Sequence, residues 1–199
     1  MSKEKIVLAS GNLDKIREIN VLLSNTSYEI IPQSKFDVIE ADETGVTFLE
    51  NALIKARNAA EHTEHPVIAD DSGLEVDALD GEPGIFSARY AGPNASDKDN
   101  LNKLIKNIKR LDQKYCRARF ICSMVFLKNL NEKDPINVEG VWEGRVITNP
   151  RGKNGFGYDP IFYIPSLGCT SAELSDDKKN ELSHRGQALR LLIQRITGR

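Results

Sequence analysis

The 199-residue sequence has no apolar run approaching the roughly 20 residues that a bilayer-spanning helix needs, which argues against a membrane protein. The polar start, Met1 to Lys5, passes straight into a short apolar strand, the wrong layout for a secretory signal. The chain also lacks an excess of charge. It has 27 Lys and Arg against 29 Asp and Glu, a net charge of −2. Nothing in that balance draws it to a polyanion, so a nucleic-acid partner is not expected. There are only three cysteines, Cys116, Cys122 and Cys169, odd in number and without C-x-x-C spacing. They argue against a disulfide frame or a zinc site and fit a reducing, cytoplasmic compartment in which thiols pack as small hydrophobes. No internal repeat, low-complexity tract or linker divides the chain.

What remains is an ordinary globular composition, 40% hydrophobic and 28% charged. Ile6-Val7-Leu8-Ala9 reads as a buried strand, followed by a helix bearing Ile16, Ile19 and Leu23, then a strand Tyr28–Ile31 ended by Pro32. Thr47-x-x-Glu50 forms a capping box for a helix with an apolar stripe (Leu49, Leu53, Ala56, Ala60) and a polar one (Asn51, Lys55, Asn58). Val67-Ile68-Ala69 is a strand closed by Asp70-Asp71-Ser72-Gly73, and Leu74, Val76 and Ala78 alternate as a separate strand. Ser96 caps a helix burying Leu101, Leu104, Ile105 and Ile108. Arg117–Lys128 favours strand, with Phe120, Cys122, Met124 and Phe126 on one face, and Asn137–Thr148 is its hairpin partner. A glycine-rich loop, Pro150–Pro160, a strand Ile161–Ile164 and helices over Ser175–Leu182 and Ser183–Ile196 complete the chain. Interleaved helices and strands predict one α/β domain over residues 1–199, two-lobed because its centre reads as hairpin and not as βαβ.

Five stretches could carry chemistry. Ser10-Gly11-Asn12-Leu13-Asp14-Lys15 lies where a strand hands over to a helix, where N–H groups, the helix dipole and Lys15 suit an anion such as a triphosphate. A plain cap by Ser10 or Asn12 explains it equally well, and the G-x-x-x-x-G-K-[ST] loop is absent. Asp70 and Asp71 at a strand's carboxyl end would repel unless a cation or a hydrogen-bond network compensates, and Mg²⁺ often binds phosphates through only one or two carboxylates. Glu43 could supply another, while the competing reading is a polar turn. Asn51 and Lys55, four apart on one helix, could reach a phosphate together or merely face solvent. Phe156, flanked by Gly155 and Gly157, could stack on a purine beside Asp159, or anchor a loop. Ser183-His184-Arg185 opens the last helix, where the dipole disfavours Arg185 unless an anion or a base edge compensates.

Taken in order, Ser-Gly-Asn-x-x-Lys, Glu-Thr-Gly-x-Thr-Phe-x-Glu-Asn-Ala, Ala-Asp-Asp-Ser-Gly-Leu, Pro-Gly-Ile-Phe-Ser-Ala-Arg-Tyr-Ala-Gly, Gly-Phe-Gly-Tyr-Asp-Pro-Ile-Phe and Ser-His-Arg-Gly-Gln-Ala-Leu resemble the bacterial inosine/xanthosine triphosphate pyrophosphatase family. The resemblance runs from Ile6 to about Leu192. It implies an elongated mixed β-sheet with helices forming two lobes around a central substrate cleft, a homodimer, and a Mg²⁺ requirement. It implies hydrolysis of ITP, dITP, XTP and dXTP to the monophosphate and pyrophosphate. Ser10, Gly11, Asn12, Leu13, Asp14 and Lys15 would grip the phosphates with Lys55, and Ser72 would touch substrate. Glu43 and Asp71 would hold the metal, Asp71 also serving as general base. Phe156, Gly157, Tyr158 and Asp159, with Lys179, His184 and Arg185, would form the base pocket. A pyrophosphatase for modified pyrimidines shares the phosphate and metal logic. A non-catalytic nucleotide sensor would keep only the phosphate grip, which Asp70, Asp71 and Glu43 together argue against.

Overall fold

The computed structural model describes residues 3–24, 26–111 and 115–198. Met1 and Ser2, part of the polar start, lie outside the described residues. Among the described residues, seven strands form one mixed sheet in the order β2-β1-β3-β4-β5-β6-β7. They are β1 Glu4–Leu8, β2 Tyr28–Pro32, β3 Val67–Val76, β4 Tyr115–Leu127, β5 Ile136–Ile147, β6 Phe162–Ile164 and β7 Cys169–Thr170. The helices are α1 Leu13–Leu23, α2 Phe48–Ala60, α3 Asp97–Arg110, α4 Asp176–Leu182 and α5 His184–Thr197. β1 pairs parallel to β2 and β3, whereas β6 pairs antiparallel to β5 and β7. The expected α/β class with a mixed sheet is therefore present.

The chain divides into two compact units. The first comprises the chain up to Asp71, Cys122–Gly140 and the chain from Arg185. Its sheet is covered on both faces. Ile6, Leu8, Ile68, Cys122 and Met124 pack with Ile19 and Leu23 of α1 and with Ala188, Leu189 and Leu192 of α5. Val7, Ala9, Val67, Ala69, Val125 and Leu127 pack with Ala52, Ala56 and Ala59 of α2. Odd and even residues of one strand thus reach different helices, as the period of two requires. The second unit, Ser72–Ile121 and Val141–His184, has its own core. There Leu104 and Ile108 of α3 meet Leu74, Val76, Ala118, Phe120, Trp142 and Phe162.

Three local expectations change. Asp70-Asp71-Ser72-Gly73 is not a turn: β3 runs unbroken through it to Val76. The acids stay extended because covering elements supply cations on either side of the strand. The polar stripe of α2 is not solvated at Asn51, which is fully buried. The box at Thr47 is half formed: its hydroxyl accepts from the Glu50 N–H, but the Glu50 carboxylate reaches one residue further back, to the Val46 N–H at 2.7 Å. At Ser96 both halves of the box are made, with Asp99 as the return partner.

Candidate active site

In the first unit the alternation of β3 separates its adjacent acids. Asp70 shares parity with Ile68 and faces α1 and α5, whereas Asp71 shares parity with Ala69 and faces α2. Leu8 of β1 is level with Ile68, and Ala9 N–H bonds the Ile68 carbonyl at 2.8 Å. Hence the chain leaving β1 enters α1 beside Asp70, and Lys15 reaches that carboxylate at 2.9 Å. Arg185, at the start of α5, lies 3.6 Å from the same oxygen and also pairs with Glu18 of α1. The Cys122 thiol approaches it at 3.9 Å.

Asp70 is only 1% exposed, and burial alone would raise its pKa. Lys15, Arg185 and Lys55 together outweigh that and hold it well below the usual carboxylate range. The same acids push Arg185 upward against its own burial. The anion expected to offset the dipole at Arg185 is therefore protein, supplied by Asp70 and Glu18. Glu18 was missed in the sequence, although it lies three residues beyond Lys15 on one helix face. The second oxygen of Asp70, Oδ1, is buried without a hydrogen-bond partner among the described residues.

On the other face, Lys55 Nζ bridges Glu43 Oε1 at 2.8 Å and Asp71 Oδ1 at 3.3 Å. Asn51 Nδ2 donates to Asp71 Oδ2 at 3.1 Å. Burial raises the Asp71 pKa and Glu43 adds to the rise, exceeding what Lys55, Lys15 and Asn51 take off. Lys55 is raised: burial lowers it, but Asp71, Asp70 and Glu43 prevail. Among the described residues no group of three or more His, Cys, Asp or Glu is placed to hold a metal. Two carboxylates nevertheless converge on one cation, the Lys55 ammonium. That hard-oxygen pair fits Mg²⁺, whose remaining places water or phosphate oxygens would fill.

The strand-to-helix segment forms a capped helix start. Asn12 Oδ1 accepts from the Asp14 and Lys15 N–H groups at 3.0 and 3.1 Å, and Ser10 Oγ accepts from the Asn12 N–H at 3.2 Å. The Glu40 carboxylate lies against Gly11, Leu13 is exposed, and Asp14 pairs with Arg17 at 3.2 Å. Of this segment, Lys15 alone joins the acid cluster.

In the second unit, Asp159 organises the Gly155–Asp159 loop. Its Oδ2 accepts from the Phe156 N–H at 2.9 Å and from Lys179 Nζ at 2.7 Å, and its Oδ1 accepts from Ser171 Oγ at 2.5 Å. Gly155 has φ 72°, and a Cβ there would lie 2.1 Å from Asp159 Oδ2, so a side chain cannot be accommodated. Lys179 Nζ sits 4.8 Å from the centre of the half-buried Phe156 ring. Tyr158 is buried and donates its hydroxyl to the Ser87 carbonyl at 2.8 Å; burial drives its pKa upward. The Gly157 N–H donates to Asp97 at 2.8 Å. His184 stacks on Phe120 at 4.7 Å and 10°. Ser72 is half-buried within β3. Ser171 and Ser87 carried no sequence signal for this role, though the Thr170-x-x-Glu173 spacing marks the turn on which Ser171 sits.

A mixed α/β sheet with two acids on one strand, each met by a lysine, has the make-up of an enzyme acting on a phosphorylated substrate. The sequence model of the Ham1 family matches residues 6–195, and the chain belongs to that family. A dITP/XTP pyrophosphatase of Thioalkalivibrio sulfidiphilus is 54% identical over 195 residues, covering 98% of this chain and 100% of that one. A dITP/XTP pyrophosphatase of Vibrio cholerae is 54% identical over 193 residues, covering 97% and 96%. The structure of a HAM1 protein from Coxiella burnetii matches with a TM-score of 0.91 at 48% identity, covering 98% of this chain and 100% of that one. The family expected from the motifs is thus the family found. Among the described residues, no helix is long and apolar enough to cross a membrane.

Proposed function

We propose that this protein hydrolyses ITP, dITP, XTP and dXTP to the nucleoside monophosphate and pyrophosphate, removing non-standard purines from the pool that feeds DNA and RNA synthesis. Relatives more than half identical over nearly their whole length bear the name dITP/XTP pyrophosphatase. The observation that carries the chemistry is the convergence of Glu43 and Asp71 on the Lys55 cation.

In this reading Glu43 and Asp71 hold Mg²⁺, which when bound polarises the phosphates and offsets charge on the leaving pyrophosphate. Asp71 takes the proton of the water that attacks the α-phosphorus. Burial, with the Glu43 charge beside it, raises its pKa. Lys15 and Lys55, together with the Ser10–Asp14 turn, hold the phosphates, and Ser72 contacts substrate. Phe156 stacks on the purine, supported by Gly157, Tyr158, Asp159 and Lys179, while His184 and Arg185 take part in reading the base. A 6-oxo group accepts hydrogen bonds where adenine donates, so donors in the pocket favour hypoxanthine and xanthine. The family resemblance adds a homodimer, and the cysteine usage a cytoplasmic location.

The test is kcat/KM for ITP, XTP, GTP and ATP with released pyrophosphate as the readout, with and without chelator, for wild type and Asp71→Asn. The variant should lose about 10²–10⁴-fold, the contribution of a general base. Retention of more than about a tenth of kcat would remove Asp71 from that role. Equal use of ITP and ATP by the wild type would overturn the substrate assignment.

A further inference from the structure

We infer that Asn51 is a positioning residue that ties Asp71 to the turn carrying Glu43, and so fixes the spacing of the two acids; this rests on the reading that those acids hold a divalent cation. Asn51 is fully buried on α2. A buried amide in a helix is costly unless both its ends are satisfied. Here both are satisfied outside the helix. Oδ1 accepts the Gly45 N–H at 2.8 Å, and Nδ2 donates to Asp71 Oδ2 at 3.1 Å. The orientation has only one sense: a backbone N–H can only donate, so the oxygen must face Gly45 and the amino group must face the carboxylate.

Gly45 lies two residues beyond Glu43. A Cβ on it would stand 2.7 Å from Asn51 Oδ1, 2.7 Å from Glu50 Cβ and 3.0 Å from the Asn51 nitrogen. The turn can therefore come this close only with glycine at that place. One helical turn further along α2, Lys55 takes Asp71 Oδ1 and Glu43. The two α2 side chains thus divide the carboxylate between them, with different roles. Lys55 carries charge that substrate phosphates compete for. Asn51 is neutral and joins the two acid-bearing segments through the Gly45 N–H and the other Asp71 oxygen.

The experiment uses the full-length protein and Mn²⁺ as probe. Binding is read from loss of the free-ion paramagnetic resonance signal without nucleotide. Dependence of ITP turnover on Mg²⁺, split into kcat and KM for nucleotide, is read alongside, with thermal melts to score folding. Asn51→Ala should weaken Mn²⁺ binding about 10–100-fold, the usual cost of losing a partner behind a metal ligand. kcat at fixed Mg²⁺ should fall more than KM for ITP rises. Gly45→Ala should act in the same direction by displacing the amide, and decides the matter if Asn51→Ala does not fold. Because both act on one link, the double variant should be little worse than the more severe single variant. Wild-type Mn²⁺ affinity and kcat in both single variants, with a metal-dependent wild type, would overturn the inference while leaving the proposed function intact. A wild type that binds no Mn²⁺ and turns over in excess chelator would overturn the metal reading and the inference with it.

Discussion

Replacing Asp159 by Asn changes a single atom type in a buried loop, and the structure says what that should cost. The carboxylate is 3% exposed and its partner Lys179 is 5% exposed. They meet at 2.7 Å. Removing one member of a buried ion pair leaves the other charge desolvated without that partner, a loss of about 3–5 kcal/mol. The amide can still accept from the Phe156 N–H or from Ser171, so loss of the charge dominates. In a chain of this length each kcal/mol moves the midpoint by about 2–4 °C, which predicts a fall of about 6–20 °C. Near-ultraviolet circular dichroism during a melt, backed by urea titration, measures it. Lys179→Met added to Asp159→Asn should restore part of the loss, because the desolvated ammonium is then gone. A single variant within about 1 kcal/mol of wild type would refute the pairing argument, as would a double variant that simply sums two losses.

The remaining predictions concern a ring and a pH window. Phe156→Ala should weaken ITP, XTP, GTP and ATP by similar factors, about 1–3 kcal/mol each, since every base offers a stacking face; a loss confined to one purine in kcat/KM would remove Phe156 as a general stacking platform. Asp70 is held below its unfolded value near 3.9, so the stability it contributes is complete above about pH 4 and is lost as pH falls further toward its folded value. The gap in urea midpoint between wild type and Asp70→Asn should therefore be widest near neutrality and shrink below about pH 4; a gap that stays constant down to about pH 3 would show that its ionisation is not what stabilises the fold.

Periodic segments are legible in the sequence itself. Ile16, Ile19 and Leu23, or Leu101, Leu104 and Ile108, announce helices because the buried face repeats at helical spacing. β3 is not legible as one strand, because Asp70-Asp71-Ser72-Gly73 is turn-like in composition; what keeps it extended is Lys15 and Arg185 on one side and Asn51 and Lys55 on the other. Arg185 is 167 residues from Glu18, and local pattern cannot join them. Asn51, beside Lys55 on a helix with charged neighbours, looked as much solvated as functional; only the strand packed beneath it reveals a partner. β7, two residues long, is too short to leave a period.

The alternation of β3 leaves the strand no spare phase. Deleting a single residue ahead of Asp70 would rotate everything beyond it by half a turn. Asp71 would then be delivered to Arg185, and Ser72 to Lys55. Arg185 and Lys15 would still meet an aspartate, but Lys55 would meet a hydroxyl where it now has a carboxylate, and Leu74 would lose its side of the sheet. Length in the Val67–Asp71 segment is thus specified as tightly as identity, so insertions and deletions there should be more damaging than most substitutions at the same sites.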